Sequence, residues 1–479
     1  MKARIGLEVH VQLTEAGSKL FCGCRSNYRG LPPNSNVCPV CLGLPGALPV
    51  VQEAPLRLAL AAAYALGCEP PRALVFNRKH YFYPDLPKNY QITQYERLGG
   101  APVCSGGRLE YLDPSTWTWG LVRIRRVQLE EDPGRSTYPE GTILSSPRVL
   151  VDYNRSGVPL LEIVTEPDLP SPRAARAFVE YLLLTLEYIG AVNPRLEGAF
   201  RVDANISVEG GERVEVKNIG STLDVERALE YELRRQTLIV EGGGRVERET
   251  RHWDPERGVT KPLRKKEYEE EYLYMPDPDL PPVLVTERLR EEARRLLGPS
   301  VRERLERLLS LRVNRETAWS IVSTPAAMRV FEAALPEAGD ARLLARLVGV
   351  DLKWKIRDAG RDPWDPGSWP PPETVARLTR LALEGRVPYE AVRGLVLERL
   401  AENPRARLED LLPETADVER LVEEAIRANP KAVRDYLNGK TRALDYLVGA
   451  VLRLAKGRAV DPRRARRLLE ERLRAMGEG

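Results

Sequence analysis

Two strand-like runs set chemistry-bearing side chains along one face. In residues 5–13, IGLEVHVQL, Leu7, Val9, Val11 and Leu13 alternate with Glu8, His10 and Gln12. A period of two sends the first set to a core face and the second to the opposite face. Residues 200–208, FRVDANISV, repeat the pattern, with Arg201, Asp203, Asn205 and Ser207 on the polar side. Beyond a Gly210–Gly211 turn signal, Val214 and Val216 alternate with Glu215 and Lys217, so these two runs predict an antiparallel hairpin. Half-exposed antiparallel strands often carry a merely solvated polar face. The residue types here favour more than that: carboxylates and an imidazole beside a lysine suit a divalent ion and a phosphate.

Cys22, Cys24, Cys38 and Cys41 form a C-x-C…C-x-x-C set. Four thiolates satisfy tetrahedral Zn²⁺, and a site filled by four cysteines is closed, hence structural. Four unligated thiols are the plainer alternative. Cys68 and Cys104 have no such neighbours and read as packing residues. Residues 77–95, NRKHYFYPDLPKNYQITQY, mix Arg78, Lys79 and Lys88 with five aromatic residues. Such a mixture can hold a nucleotide or an RNA end by charge and stacking, or form a surface loop with a small aromatic core. Glu130, Glu131 and Asp132 follow a basic strand at 122–129; adjacent carboxylates repel unless a cation or arginines neutralise them. The P-loop, the G-x-S-x-G nucleophile elbow and the zincin H-E-x-x-H motif are all absent from the sequence.

The elements that must position these groups follow from periodicity. Up to about residue 290, short alternating runs, Gly/Pro turns and a few helices predict an α+β domain. Its core is a mixed, largely antiparallel sheet, a cradle with covering helices. Ser171 with Pro172 predicts a helix start that runs to Gly190, and Ser221 with Asp224 predicts another near Thr222. Beyond that point, Leu, Val and Ala recur at spacings of three and four, which predicts helices throughout. A proline-rich loop at 361–373 and Asn403–Pro404 interrupt them. The expected domains are a cradle at 1–290, an all-helical linker at 291–407 and a small helical tail at 408–479. The 479 residues carry 30% charged side chains but a net charge of only +4, which excludes a uniformly basic coat and permits a local basic patch. No run approaches the ~20 apolar residues of a membrane span, and Met1 leads straight into a strand without an apolar signal region. A soluble, cytoplasmic protein is expected.

Taken in order, these segments resemble the B-subunit family of aspartyl/glutamyl-tRNA amidotransferases. The matching stretches are IGLEVHVQL (5–13), CPVCLGLPGALP (38–49), NRKHYFYPDLPKNYQITQY (77–95), VRIRRVQLEEDPGR (122–135) and VDYNRSGVPLLEIVTEPD (151–168). FRVDANISV (200–208), VEVKNIGS (214–221), ETRHWD (249–254), LRKKEYEEEYLYMPDPDLPP (263–282) and the tail run 429–457 complete the series. The resemblance implies a carbon–nitrogen ligase with glutamine as amido donor. It would use ATP and Mg²⁺ to phosphorylate the side-chain carboxylate of mischarged Asp-tRNA(Asn) or Glu-tRNA(Gln), and would then amidate it with ammonia from a partner. The implied assembly is a heterotrimer whose other chains are the amidase, or glutaminase, known as the A chain and a small C chain. The cognate aminoacyl-tRNA synthetase is a further candidate partner. Glu8, His10 and Glu131 are the first candidates for the Mg²⁺ and phosphoryl site, with Glu130, Asp203 and Glu215 second. Lys79, Lys88 and Lys217 would neutralise phosphate or line the ammonia path, and Arg78 would bind the nucleotide together with Lys79 and Lys88. Gln128, His80 and Ile219–Gly220 depart from the family pattern. The related archaeal E-type protein has an inserted synthetase-like domain for which this chain has no room. A non-catalytic tRNA-binding adapter is the alternative reading; the carboxylates on the polar strand faces argue against it. A self-sufficient glutamine amidotransferase would need a glutaminase nucleophile, which no recognisable motif supplies.

Overall fold

The computed structural model describes residues 1–141, 146–263, 272–412, 417–455 and 460–477. Strands in chain order are β1 (Ala3–Gln12), β2 (Ala73–Leu74), β3 (Asn77–His80), β4 (Tyr90–Thr93), β5 (Cys104–Asp113), β6 (Thr118–Glu131), β7 (Arg135–Thr137) and β8 (Leu150–Asp152). They continue with β9 (Pro159–Thr165), β10 (Phe200–Val208), β11 (Val214–Ile219), β12 (Glu249–Asp254), β13 (Val259–Pro262), β14 (Leu273–Pro276) and β15 (Val283–Leu284). Four helices belong to the same part of the chain: α1 (Glu53–Ala65), α2 (Pro172–Tyr188), α3 (Thr222–Glu241) and α4 (Glu287–Arg295).

Eight strands form one sheet in the order β13-β12-β11-β10-β1-β9-β6-β5. All pairings in it are antiparallel except β11 with β12, so the expected α+β fold with a mixed, largely antiparallel sheet is what the chain adopts. Alternation does the sorting. Leu7, Val9 and Val11 of β1 and Val202, Ala204 and Ile206 of β10 are all buried to 1% exposure or less. Helices α2 and α3 pack against β1, β5, β10 and β11. Their starts are fixed as the sequence predicts: Ser171 accepts from the Ala174 amide and Ser221 from the Asp224 amide, each satisfying a donor that the first turn leaves open. A second sheet, β14-β3-β4, reaches the main sheet where β4 meets the end of β6.

One feature differs from expectation. Cys68 and Cys104 are not separate packing residues; they form a disulfide with a Cα–Cα distance of 5.7 Å, joining the end of α1 to the start of β5. Their 36-residue separation hides this pairing from any local spacing rule. The first compact unit runs to Val301. Helix α4 belongs to it because Leu289 and Ala293 are buried and Arg288, Arg290 and Glu292 pair with Glu53, Glu69 and Arg57.

The second unit, Arg302–Gly479, is helical throughout its described residues. Within it, helices Val418–Ala428, Arg442–Leu454 and Pro462–Gly477 share a core that includes Leu421, Val422, Leu447, Val451, Leu469 and Leu473. Lys431, Arg434, Lys440 and Arg442 stand exposed around it; Lys456 and Arg458 lie outside the described residues. Among the described residues no helix is long and apolar enough to cross a membrane.

Candidate active site and metal centre

The strand order sets the site. β1 lies between β10 and β9, so Glu8 faces Asp203 on one side and His10 sits between Arg201 and Glu162. One strand further, Glu162 faces Gln128 of β6. The result is a compact trio: His10 Nε2 lies 3.4 Å from Glu8 Oε1 and 3.6 Å from Glu162 Oε2. One ligand atom from each of Glu8, His10 and Glu162 falls within 4.8 Å of the others, a spacing fit for a metal ion. The imidazole is buried, and its Nδ1 has no hydrogen-bond partner among the described residues.

A bulge shapes the next strand. Val202 pairs with Ile219 and Ala204 with Val216, so β11 carries one extra residue opposite Asp203. Asn218 takes up the excess at φ 63°, a conformation asparagine tolerates better than most residues, and its amide donates to Asp203 Oδ1 at 2.8 Å. Glu215 accepts from Thr250 Oγ1 at 3.1 Å. Both carboxylates lie close enough to raise the pKa of Glu8. Glu130 accepts from Thr93 Oγ1 at 2.8 Å and is almost fully buried.

Carboxylates outnumber cations here, and the proton affinities record it. Burial, then Glu162, pushes the Glu8 carboxyl up to about 7, against the opposing charge of His10. Burial and Glu162 also raise Glu130. His10 is pushed down by burial and Arg201, but its partnership with Glu162 and the charge of Glu8 outweigh both and hold it above the usual histidine value. Glu162 stays ionised despite its burial because His10, Arg126 and Lys79 surround it. A divalent cation seated against Glu8, His10 and Glu162 would relieve this like-charge crowding.

The second sheet sorts the remaining candidates. Lys79 stands 4.7 Å from the Tyr272 ring and lowers the pKa of both Glu130 and Glu162 by its charge. Lys88 Nζ grips Glu131 at 2.5 and 2.7 Å, and the Ile92 amide donates to the same carboxylate at 3.0 Å. Glu131 is therefore engaged with β4 and is not gathered with Glu8 and His10. Glu162 takes the place expected of it. Sequence reasoning passed over Glu162, whose one signal is a lone charge in the apolar run VPLLEIVT (158–165). Arg78 is held by Asp277 at 3.1 Å and Asp279 at 2.5 Å rather than turned toward the trio. Lys217 lies on β11 two residues beyond Glu215, in register with His252.

The four expected cysteines do converge. The sulfurs of Cys22, Cys24, Cys38 and Cys41 all lie within 4.8 Å of one another, close to the roughly 3.8 Å edge of a tetrahedron with ~2.3 Å zinc–sulfur bonds. Cys22 and then the Cys38 amide and Lys19 draw the Cys41 thiol down to about 4, while burial and the Cys41 charge push Cys24 up to about 11. Thiols this crowded cannot all ionise by themselves; a dication lets them. The loop continues through Gly43, at φ 64°, where a Cβ would sit 2.4 Å from Lys88 Cγ, so the cysteine knuckle abuts the lysine that grips Glu131.

Comparison with known proteins follows the same lines. Residues 3–291 match the GatB/GatE catalytic domain family, and residues 329–473 match the GatB domain family. The chain is 62% identical to a protein of Aeropyrum pernix named as the B subunit of aspartyl/glutamyl-tRNA(Asn/Gln) amidotransferase, over 99% of this chain and 98% of that protein. Proteins of the same name from Sulfurisphaera tokodaii and Thermus thermophilus are 42% and 40% identical, over 98% or more of each chain. This chain thus belongs to the family of aspartyl/glutamyl-tRNA(Asn/Gln) amidotransferase B subunits.

Proposed function

We propose that this protein is the tRNA-binding, ATP-using component of a glutamine-dependent amidotransferase acting on mischarged Asp-tRNA(Asn), Glu-tRNA(Gln) or both. The observation that carries the reading is the trio of Glu8, His10 and Glu162, ringed by Glu130, Asp203 and Glu215, in a chain that matches the amidotransferase B subunits from end to end. In the first step a side-chain carboxylate oxygen of the aminoacyl group attacks the γ-phosphorus of ATP, and ADP leaves. In the second, ammonia attacks the acyl carbon of the resulting acyl phosphate; phosphate leaves and the nitrogen loses a proton. The order is chemical necessity, because a carboxylate is a poor electrophile and an acyl phosphate a good one.

Phosphoryl transfer asks a protein for alignment and charge neutralisation more than for covalent help. Glu8, Glu162 and His10 would hold Mg²⁺, which supplies neutralisation of phosphate charge there. Asp203 and Glu215 stand behind that ligand set. Lys79 faces the same space and would bind phosphate oxygens. Glu130 is buried with a raised proton affinity, which suits it to take the proton released in amidation. Lys88 and Glu131 form the wall next to it. Cys22, Cys24, Cys38 and Cys41 would hold a structural zinc ion. The first unit would bear the chemistry, the helices that follow it up to about residue 407 would join it to the tail (408–479), and the exposed lysines and arginines of the tail would contact tRNA phosphates. Ammonia would come from a separate amidase chain, with a small third chain completing a heterotrimer.

The test is a reconstituted complex given mischarged tRNA, ATP and glutamine. Glu8→Ala should abolish amidated tRNA while tRNA binding and basal glutaminase activity persist. Amidation at the wild-type rate by that variant would remove the trio from the reaction.

A further inference from the structure

Among the largest fully buried side chains of the described residues, one is a lysine. Lys19 has 0% exposure, and no carboxylate among the described residues lies within ion-pair distance of it. Its ammonium donates to the Asn36 carbonyl at 2.9 Å, to Cys41 Sγ at 3.5 Å and to the Tyr153 carbonyl at 3.5 Å. A cation buried against two neutral carbonyls is costly unless an anion accompanies it. The nearest anionic chemistry is the cysteine cluster itself: four thiolates around a dication carry two net negative charges. Packing holds the arrangement in place. Ser156 Oγ donates to the Cys41 carbonyl at 3.1 Å and the Leu20 amide to the Gly157 carbonyl at 2.9 Å. Gly157 sits at φ 87°, a left-handed conformation that favours glycine, and the turn it makes lies directly against Lys19 and Cys41, at ordinary contact distance for a Cβ.

We propose that Lys19 is the buried counter-cation of the metal-loaded cysteine knuckle, compensating its charge, orienting Cys41 as a ligand, and tying the knuckle to the Tyr153–Gly157 turn that leads into β9. The inference rests on the zinc reading of the four cysteines. It makes Lys19 a positioning residue: it touches a ligand and not the metal. Through that turn it links the knuckle to the strand bearing Glu162. Groups that hold metal ligands from behind typically change metal affinity by about 10–100-fold.

The experiment uses the full-length chain as purified, with zinc transfer to the chromogenic chelator 4-(2-pyridylazo)resorcinol as readout. Lys19→Gln keeps a polar end within reach of the Asn36 carbonyl, and Lys19→Met keeps the length; either suffices if the other fails to fold. Both should hold zinc about 10–100-fold less tightly, with unchanged far-ultraviolet circular dichroism, and Lys19→Arg should recover most of the loss. In cobalt-substituted protein, the neutral variants should shift the thiolate-to-cobalt charge-transfer band, which a mere clip between carbonyls would not do. Wild-type retention of zinc by a folded Lys19→Gln or Lys19→Met chain, with an unshifted cobalt band, overturns the role of Lys19 and leaves the zinc site standing. A wild-type chain that takes up no zinc, matching Cys38→Ser, overturns the site and the role of Lys19 together.

Discussion

Removing the Cys68–Cys104 disulfide should cost the cradle several degrees of thermal stability. The bond closes a stretch of 36 residues that carries β3 and β4, and with them Lys79, Lys88 and Thr93 of the candidate site. For a loop of that size, the loss of unfolded-chain entropy corresponds to about 3.8 kcal/mol at 25 °C. An unfolding entropy of ~2.1 cal/mol/K per residue over the first unit, Met1–Val301, converts this into a Tm decrease of roughly 6 °C. The perturbation is the double substitution Cys68→Ala/Cys104→Ala, which leaves no reactive thiol behind. Scanning calorimetry of wild type and variant gives the difference. Thiol titration in denaturant and chelator, without reductant, should count four free cysteines in the wild type, those of the knuckle. An unchanged Tm together with six titratable thiols would refute the reasoning. A large effect is expected because the bond staples segments that the second sheet otherwise holds only through short strands.

Truncation after residue 407 should weaken tRNA binding at least tenfold and flatten its salt dependence, since each phosphate contact adds to that slope; the partner's glutaminase activity should persist, and unaltered tRNA affinity would contradict the tail's role. Stability of the helical unit should rise with pH above about 8. Lys353 donates to Ser320 O at 2.9 Å and to Ser320 Oγ at 3.1 Å, and burial followed by Arg357 lowers its pKa to about 8. Between about 8 and the usual lysine value of about 10.4 the unfolded chain binds more protons than the folded one, so stability climbs across that window and is flat below it. A urea midpoint that stays level from about pH 8 to about pH 10, or that climbs equally in Lys353→Met, would count against this assignment.

Much of the site was readable from alternation alone, because burial enforces it. The polar faces of β1 and β10, the hairpin of β10 with β11, and the helix starts at Ser171 and Ser221 are local features, set by residues a few positions apart; the bulge at Asn218 was not read. The convergence of four cysteines was readable because close pairs of thiols restrict what the loop can do. Glu162 was not, because its importance comes from β9 lying between β1 and β6, and strand order is a property of the whole sheet. Glu131 shows a related limit. Adjacent strand residues point to opposite faces, so Glu130 and Glu131 cannot both turn toward His10, but the sequence does not say which one does. The same holds for Cys68 and Cys104, which only the docking of α1 beside β5 brings together, and for Tyr272, which reaches Lys79 from a distant part of the chain.

The most direct test of the account distinguishes Glu162 from Glu131 by tRNA-dependent ATP cleavage. The reconstituted complex carrying Glu162→Gln, supplied with mischarged tRNA, should cleave ATP about 10²-fold more slowly than wild type, the scale seen when a group that stabilises transition-state charge is removed. Raising Mg²⁺ should recover part of the rate, and tRNA affinity and glutaminase activity should be unchanged. Glu131→Gln should lose less and respond little to Mg²⁺, because it releases Lys88 rather than the ion. Near-normal ATP cleavage by Glu162→Gln, at unaltered Mg²⁺ requirement, would contradict the placement of phosphoryl transfer at Glu8, His10 and Glu162.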